Sequence, residues 1–386
     1  MQFKDIIGHA AIKQRLINSA NENRISHAQL FLSNEGVGAI GLAVAYAQYI
    51  ACKNRQATDS CGVCSACVKY NKLVHPDLHF AFPTNTTTKV TKDPTSIQFI
   101  AEWRKALLHN VYLDLFEWLE TIGIDNKQGN ISALESVDII RRLALKPYES
   151  EFKVMIIWMA EKMNTQAANK ILKLLEEPPE KTLFLLVVEQ QEQLLSTIIS
   201  RTQLIKIGGI DDANLAKALM YDYQLSTEQA QEVINMAEGS YNNAKRLAQE
   251  TEGDNLFMQL FREWMLICFN KKTIELVPFI DKLEALKRER QKKFLTYCLH
   301  LIRESLILAY QGDAVIKTAG AEKQFLDKFH QRIIGADTIE IIEEFNNSIY
   351  HIERNANAKI LFMDVSLKLF RWFTRQNKLL AEAKES

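Results

Sequence analysis

Residues 29–67 constrain this chain more than any other stretch. They open with an apolar run, Gln29-Leu-Phe-Leu-Ser33, and pass through a turn with two glycines, Asn34-Glu-Gly36-Val-Gly38. An Ala- and Tyr-rich run then continues to Cys52. Apolar strand, glycine turn and helix, in that order, are the layout of a phosphate-binding loop. The side chains that grip phosphate are nonetheless replaced. With the pattern G-x-x-x-x-G-K-[ST] laid on positions 33–40, only the second glycine survives, as Gly38. Ser33 stands where the first glycine belongs, Ala39 where a lysine would reach the β- and γ-phosphates, and Ile40 where a hydroxyl would ligate Mg²⁺. Backbone N–H groups at the start of the helix can still attract an anion, without a side-chain cation to help. The plainer reading is that Gly36 and Gly38 only make a tight strand-to-helix turn.

The same stretch ends in cysteines. Cys52, Cys61, Cys64 and Cys67 follow the spacing C-x₈-C-x₂-C-x₂-C. Two-residue gaps let thiolates converge on one tetrahedral ion, and Zn²⁺ favours four such ligands with no open position, which makes the expected site structural. Disulfides and a thioredoxin-like redox pair are the alternatives; the first is disfavoured in the cytosol and the second needs two cysteines. Cys268 and Cys298 lie in helical runs and read as buried apolar thiols. His75 and His79 stand near a completed four-cysteine set and read as structural histidines.

Charge is balanced, with 47 basic and 47 acidic residues, so no whole-chain field draws nucleic acid or membrane. A local DNA-facing patch stays open. Apolar runs fall short of the ~18 residues of a membrane span. The start, Met-Gln-Phe-Lys-Asp, lacks a basic segment followed by a long apolar one, and the expectation is a cytoplasmic protein. The length of 386 residues suits two or three domains.

Periodicity places a helix over 10–23, a short strand ending at Pro83, a polar loop over 84–95 and one long helix over 96–122. A helix follows from Ile131-Ser132 to Leu145. Lys153-Val-Met-Ile-Ile157 and the run 182–188 read as buried strands, with a helix from Asn164 between them stopped by Pro178-Pro179. An ATPase of this layout carries Asp-Glu after the first of these strands to hold the Mg²⁺ shell and polarise water; here Trp158 and Met159 stand there. Glu161, just beyond, reads as a charge favoured by a helix N-terminus. Residues 203–207 form the last strand, and Gly208-Gly209 marks a boundary. The charge run 287–293 reads as a solvated helix face.

Leu172-Lys-Leu-Leu-Glu-Glu-Pro-Pro179, followed by Ile198-Ile-Ser-Arg201, resembles the clamp-loader branch of the AAA+ ATPases. With the cysteine insertion and His75-Pro-Asp77, the likeness narrows to the bacterial replicative clamp loader of DNA polymerase III. The altered phosphate loop and the missing Asp-Glu pair point to its delta-prime branch rather than to the ATP-hydrolysing gamma/tau branch. Two more positions agree. Asn242 of Gly239-Ser-Tyr-Asn242 stands where the family has a phosphate-touching arginine, and Val188-Glu189 where active members have a polar sensor. The resemblance is good over 1–250; beyond, its best echo is Asn355-Ala-Asn357 before an apolar helix.

The resemblance implies an α/β AAA+ domain, a RecA-like parallel sheet with helices, over 1–208. That domain includes the zinc module at 52–67 and an extended insertion at about 94–130. A small helical lid over 209–252 and an all-α collar over 253–386 follow. It implies structural Zn²⁺, no ATP, and partnership with gamma/tau and delta subunits in a hetero-oligomeric ring. The sliding clamp and primer-template DNA are then reached through the complex. It also implies that Arg201, after Ser200, enters the ATP site of the next subunit as an arginine finger, although Thr202 replaces the family's usual cysteine. The bland alternative for Arg201 is a surface ion pair. Two other classes of function stay in view: a hydrolysing gamma/tau-like ATPase, and a free-standing zinc-dependent nucleic-acid binder. The insertion at 94–130 has no assigned role.

Overall fold

The computed structural model describes residues 1–124, 127–249, 256–311, 320–332, 337–354 and 356–385. Asp125, Asn126 and Asn355 fall outside them. By its contacts the chain divides into two compact units, Met1–Leu247 and Ala248–Ser386.

The first unit is built on a parallel sheet of five strands: β1 (Ala28–Ser33), β2 (Leu78–Ala81), β3 (Lys153–Trp158), β4 (Thr182–Val188) and β5 (Gln203–Ile207). Their order across the sheet is β2-β3-β4-β1-β5, so β1 lies between β4 and β5. Strands covered on both faces read as continuous apolar runs, and every residue of β3 and β4 is buried. Around the sheet run α1 (Ala10–Asn21), α2 (Ala39–Ala51), α3 (Ser65–Asn71), α4 (Ile100–His109), α5 (Leu115–Thr121), α6 (Ala133–Leu143), α7 (Thr165–Glu176) and α8 (Ser196–Ile199). Two apolar clusters fill the layers, one containing α2 and the insertion, the other α6 and α7. A central parallel sheet with helices on both faces, its first strand opening through a glycine turn onto α2, is the RecA-like AAA+ architecture. Helices α9 (Asp212–Tyr223), α10 (Thr227–Ala237) and α11 (Tyr241–Gln249) complete the unit. The capping box expected at Ser226 forms with Gln229.

The single helix expected over 96–122 is instead a short 3₁₀ turn at Ser96–Phe99, then α4, an irregular segment at 110–114, and α5. Asn110 leaves the helical region, and Asp114 starts α5 by accepting the N–H of Glu117 at 2.7 Å. The apolar period runs on through Leu107, Val111 and Leu115, which hides the break.

The second unit is helical: α12 (Leu256–Phe269), α13 (Thr273–Ala285), α14 (Arg288–Gln311), α15 (Gly320–Phe329), α16 (Asp337–Glu353) and α17 (Ala358–Glu385). Trp264 anchors its core against Phe279, Phe294, Phe345 and Phe362, and its Nε1 donates to Ser366 Oγ at 2.8 Å. Cys268 and Cys298 are fully buried there, and burial pushes both thiols up. No helix among the described residues is long and apolar enough to cross a membrane.

Candidate functional site

The turn after β1 has the backbone of an anion cradle. Gly36 and Gly38 both sit at positive φ, +75° and +85°, and α2 begins at Ala39 directly behind Gly38. The space in front of that turn is filled. The cleft lined by Gly36, Gly38, Ala39, Tyr112, Trp158 and Glu189 leaves about 10 Å³, room for one water. Ligand pockets commonly run to roughly 300 Å³ or more. A Cβ on Gly38 would lie 2.8 Å from the Tyr112 ring, and one on Gly36 would lie 2.8 Å from Asn242 Cβ. Glycine is therefore required at both positions by neighbours as well as by φ.

At the end of β3, Trp158 is buried and its ring lies 5.1 Å from Trp103 of α4. Trp103 in turn meets Phe82 at 4.3 Å and Trp118 at 5.0 Å. An aromatic cluster thus stands where a magnesium-binding carboxylate would be needed. Glu161 lies in the first turn of a short 3₁₀ helix, Ala160–Lys162. It is buried, and one carboxylate oxygen accepts the N–H groups of Glu189 at 3.0 Å and Gln190 at 3.3 Å. Burial raises its carboxyl above the usual range. It ties the ends of β3 and β4 together, a role its sequence position did not signal.

The four cysteines of the first unit converge. Their sulfurs all lie within 4.8 Å of one another, and all six cysteines of the chain are free thiols. The Cys61 N–H donates to Cys52 Sγ and the Cys64 N–H to Cys61 Sγ, each at 3.3 Å. Burial lifts the Cys52 and Cys67 thiols. At Cys64, backbone N–H groups and the neighbouring thiols outweigh its own burial and bring it down to about 6. Four sulfurs this close cannot all ionise without a cation between them, and the set could hold a metal ion. His75 and His79 take no part. His75 Nδ1 accepts the Asp77 N–H at 3.1 Å. Burial, and then Arg142, lower His79 to about 4.

The module also holds the chain's first residues. The N-terminal amine reaches Gln48 and Asn71, Gln2 reaches Ser60, and the N–H groups of Phe3 and Lys4 meet Asp59.

Arg201 follows α8 at the surface. Its guanidinium pairs with Glu176 at 2.8 Å and donates to Thr197 O at 3.0 Å and Ser200 Oγ at 3.3 Å. Ser200 itself donates to Thr197 O at 3.1 Å. About a third of the Arg201 side chain stays exposed, beside the end of α7.

A family model described as "DNA polymerase III, delta subunit" matches residues 8–211, more than half of the chain. The chain belongs to the DNA polymerase III clamp-loader delta-prime family. Among curated relatives, DNA polymerase III subunit delta' of Bacillus subtilis is 27% identical over 63% of this chain and 59% of its own length. The delta' subunit of Haemophilus influenzae is 24% identical over 92% of this chain and 93% of its own. Subunit tau/gamma of Haemophilus influenzae is 25% identical over 57% of this chain and 25% of its own. The chain thus spans under two thirds of the first and third of these relatives and nearly all of the second.

Within this delta-prime family chain, the structure gathers Gly36, Gly38, Ala39 and Ile40 at one closed cleft and the four cysteines at one sulfur cluster. It places Ser200 and Arg201 apart from both. Sequence reading missed Tyr112, which lines the cleft, and Asp114, which accepts Asn242 Nδ2 beside it. The signal was present in Asp114-Leu-Phe-Glu117, a helix-start pattern inside what reads as continuous helix.

Proposed function

We propose that this chain is a non-hydrolysing subunit of a DNA polymerase III clamp loader. It serves as a fixed member of a hetero-oligomeric ring with gamma/tau and delta subunits, and through that ring it helps place the sliding clamp on primer-template DNA. The observation that carries the reading is the closed cleft: in a chain of this family, the place where a nucleotide would lie is occupied by the protein's own side chains. Ala39, Ile40, Trp158, Met159 and Asn242 supply none of the charge or metal ligation that MgATP needs. Zn²⁺ in the Cys52–Cys61–Cys64–Cys67 site has a structural role, holding the module that secures the N-terminal segment. Arg201 is the group this subunit lends to a neighbouring ATP site. About a third of its side chain is exposed, and its guanidinium rests in the surface ion pair with Glu176, which it would leave to reach a neighbouring phosphate.

The test is assembly. Mixed with the gamma/tau and delta subunits of the same organism, the chain should co-elute with them in size-exclusion chromatography. Elution apart from them at micromolar concentration would remove the reading. The likeness to tau/gamma favours a second reading, a hydrolysing loader subunit. Calorimetry separates the two: a low-micromolar dissociation constant for MgATP, about −8 kcal/mol, would establish the hydrolysing form.

A further inference from the structure

The insertion at about 94–130 is the largest feature that this function leaves unused. Its break at 110–114 lies against the glycine turn. Tyr112 is buried over Gly38, and its hydroxyl accepts the N–H of Ile7 at 2.7 Å. Its ring lies 4.6 Å from that of Tyr241, the first residue of α11. Asp114 is 1% exposed and divides its carboxylate. One oxygen accepts the Glu117 N–H and the other accepts Asn242 Nδ2 at 3.0 Å. Asn242, itself buried, stands in α11 beside Tyr241, and the Tyr241 N–H donates to Gly36 O at 3.0 Å. Three pieces distant in sequence, the glycine turn, the 110–114 segment and the start of α11, therefore meet in one water-poor contact.

The segment is held from behind as well. Asn110 Oδ1 accepts the Tyr112 N–H at 3.0 Å, and Asn110 Nδ2 donates to Glu117 at 2.8 Å. Trp103 and Trp118, on either side of the break, pack in the aromatic cluster that Trp158 joins. The indole of Trp118 is also fastened to Pro83 O at 2.8 Å. The insertion thus docks on the residue that replaces a metal-binding acid and delivers Tyr112 into the space that acid would have served.

We propose that residues 110–114 are a built-in replacement for a nucleotide: they fill the cleft over the glycine turn and lock helices α9–α11 to the sheet through Tyr112–Tyr241 and Asp114–Asn242. A helical segment that a bound nucleotide would hold in one state and release in another is here held permanently. By the rule that governs a ligand, the tethered side chains favour the docked state because the Tyr112–Tyr241 and Asp114–Asn242 contacts exist only there. The inference rests on the reading of this site as one that takes no nucleotide, and it adds what takes the nucleotide's place and what that does to the helices.

Hydrogen exchange on the full chain tests it, with Tyr112→Ala, Asn242→Ala and wild type compared with and without MgATP. Loss of one buried hydrogen bond or one buried ring should raise exchange in α9–α11 and at residues 36–42 by about tenfold or more, with β3 and β4 unchanged. MgATP should restore protection in neither variant. Should Tyr112→Ala loosen β3 and β4 as well, Asn242→Ala decides, because it removes one bond and leaves the rings in place. Exchange in α9–α11 at the wild-type rate in Asn242→Ala overturns the lock. That result, with MgATP still unbound, leaves the functional reading standing. MgATP protection of the wild type removes the functional reading whatever the variants do.

Discussion

Arg201 and the four cysteines carry the two residue-scale predictions. Arg201 has a fixed, permanently charged fork, and in phosphoryl transfer a cation at the γ-phosphoryl oxygens stabilises the transition state more than the ground state. Such fingers are worth ~10³–10⁵ in rate at their own site. A ring has several sites and this chain would serve one. Arg201→Ala should therefore leave assembly intact, lower DNA- and clamp-stimulated ATP turnover of the reconstituted complex only in part, and cut clamp loading. Arg201→Lys should not rescue, since a point charge lacks the two-pronged geometry. Turnover and loading at the wild-type level with Arg201→Ala would leave the chain as scaffold alone. For the cysteines, elemental analysis should find about one zinc per chain, and Cys64→Ser should lose it. Four thiols reacting freely with a thiol reagent in the untreated native protein would show that no metal is held. Because Gln2, Phe3 and Lys4 are bonded to Ser60 and Asp59, chelation should also loosen the first residues, visible as faster exchange there.

At the scale of elements, what was legible followed from how each element is built. Strand β4 begins and ends where the apolar run 182–188 does, because a strand buried on both faces leaves no polar residue to blur its ends. Asn164 announced α7 and accepts the Ala167 N–H at 2.8 Å. The cysteine spacing announced the sulfur cluster because two-residue gaps leave few other geometries. The insertion at about 94–130 was legible, but the break inside it was not. Its apolar period continues across 110–114, and neither the polar notch at Asn110 nor the cap at Asp114 breaks that period. What binds it, Trp158, reads in sequence only as a missing acid. Contacts across tens of residues, such as Asp114 with Asn242, leave no local trace. Trp158→Asp tests how far the element depends on this exchange. It would place a carboxylate beside Trp103, removing that ring contact and burying a charge. Thermal unfolding of residues 1–247 should be destabilised by about 3–5 kcal/mol, and calorimetry should still find no MgATP binding. Tight nucleotide binding on restoring that single acid would mean that the cleft opens readily and the insertion is a weak plug.

For the whole molecule, the controlling fact is that each compact unit has its own core. The buried apolar clusters around the sheet draw on residues up to 207, and the Trp264 cluster draws on residues 260–373. Units with separate cores can unfold separately. The expected result is two heat-absorption transitions in scanning calorimetry. A zinc chelator should lower the one belonging to 1–247 and leave the other in place, because the cysteine cluster lies in the first unit alone. The same division predicts how assembly splits. If the helical unit is the collar that joins the ring, a fragment of residues 248–386 should fold to a helical circular-dichroism spectrum and enter a complex with gamma/tau and delta. Added in excess, it should also displace the full chain. The fragment 1–247 should keep its zinc and its closed cleft yet elute alone. The ring formed with 248–386 would lack Arg201, so its clamp-stimulated turnover should match that of Arg201→Ala. A folded 248–386 fragment that fails to displace the full chain, alongside a 1–247 fragment that co-elutes with the ring, would move the assembly surface to the AAA+ unit.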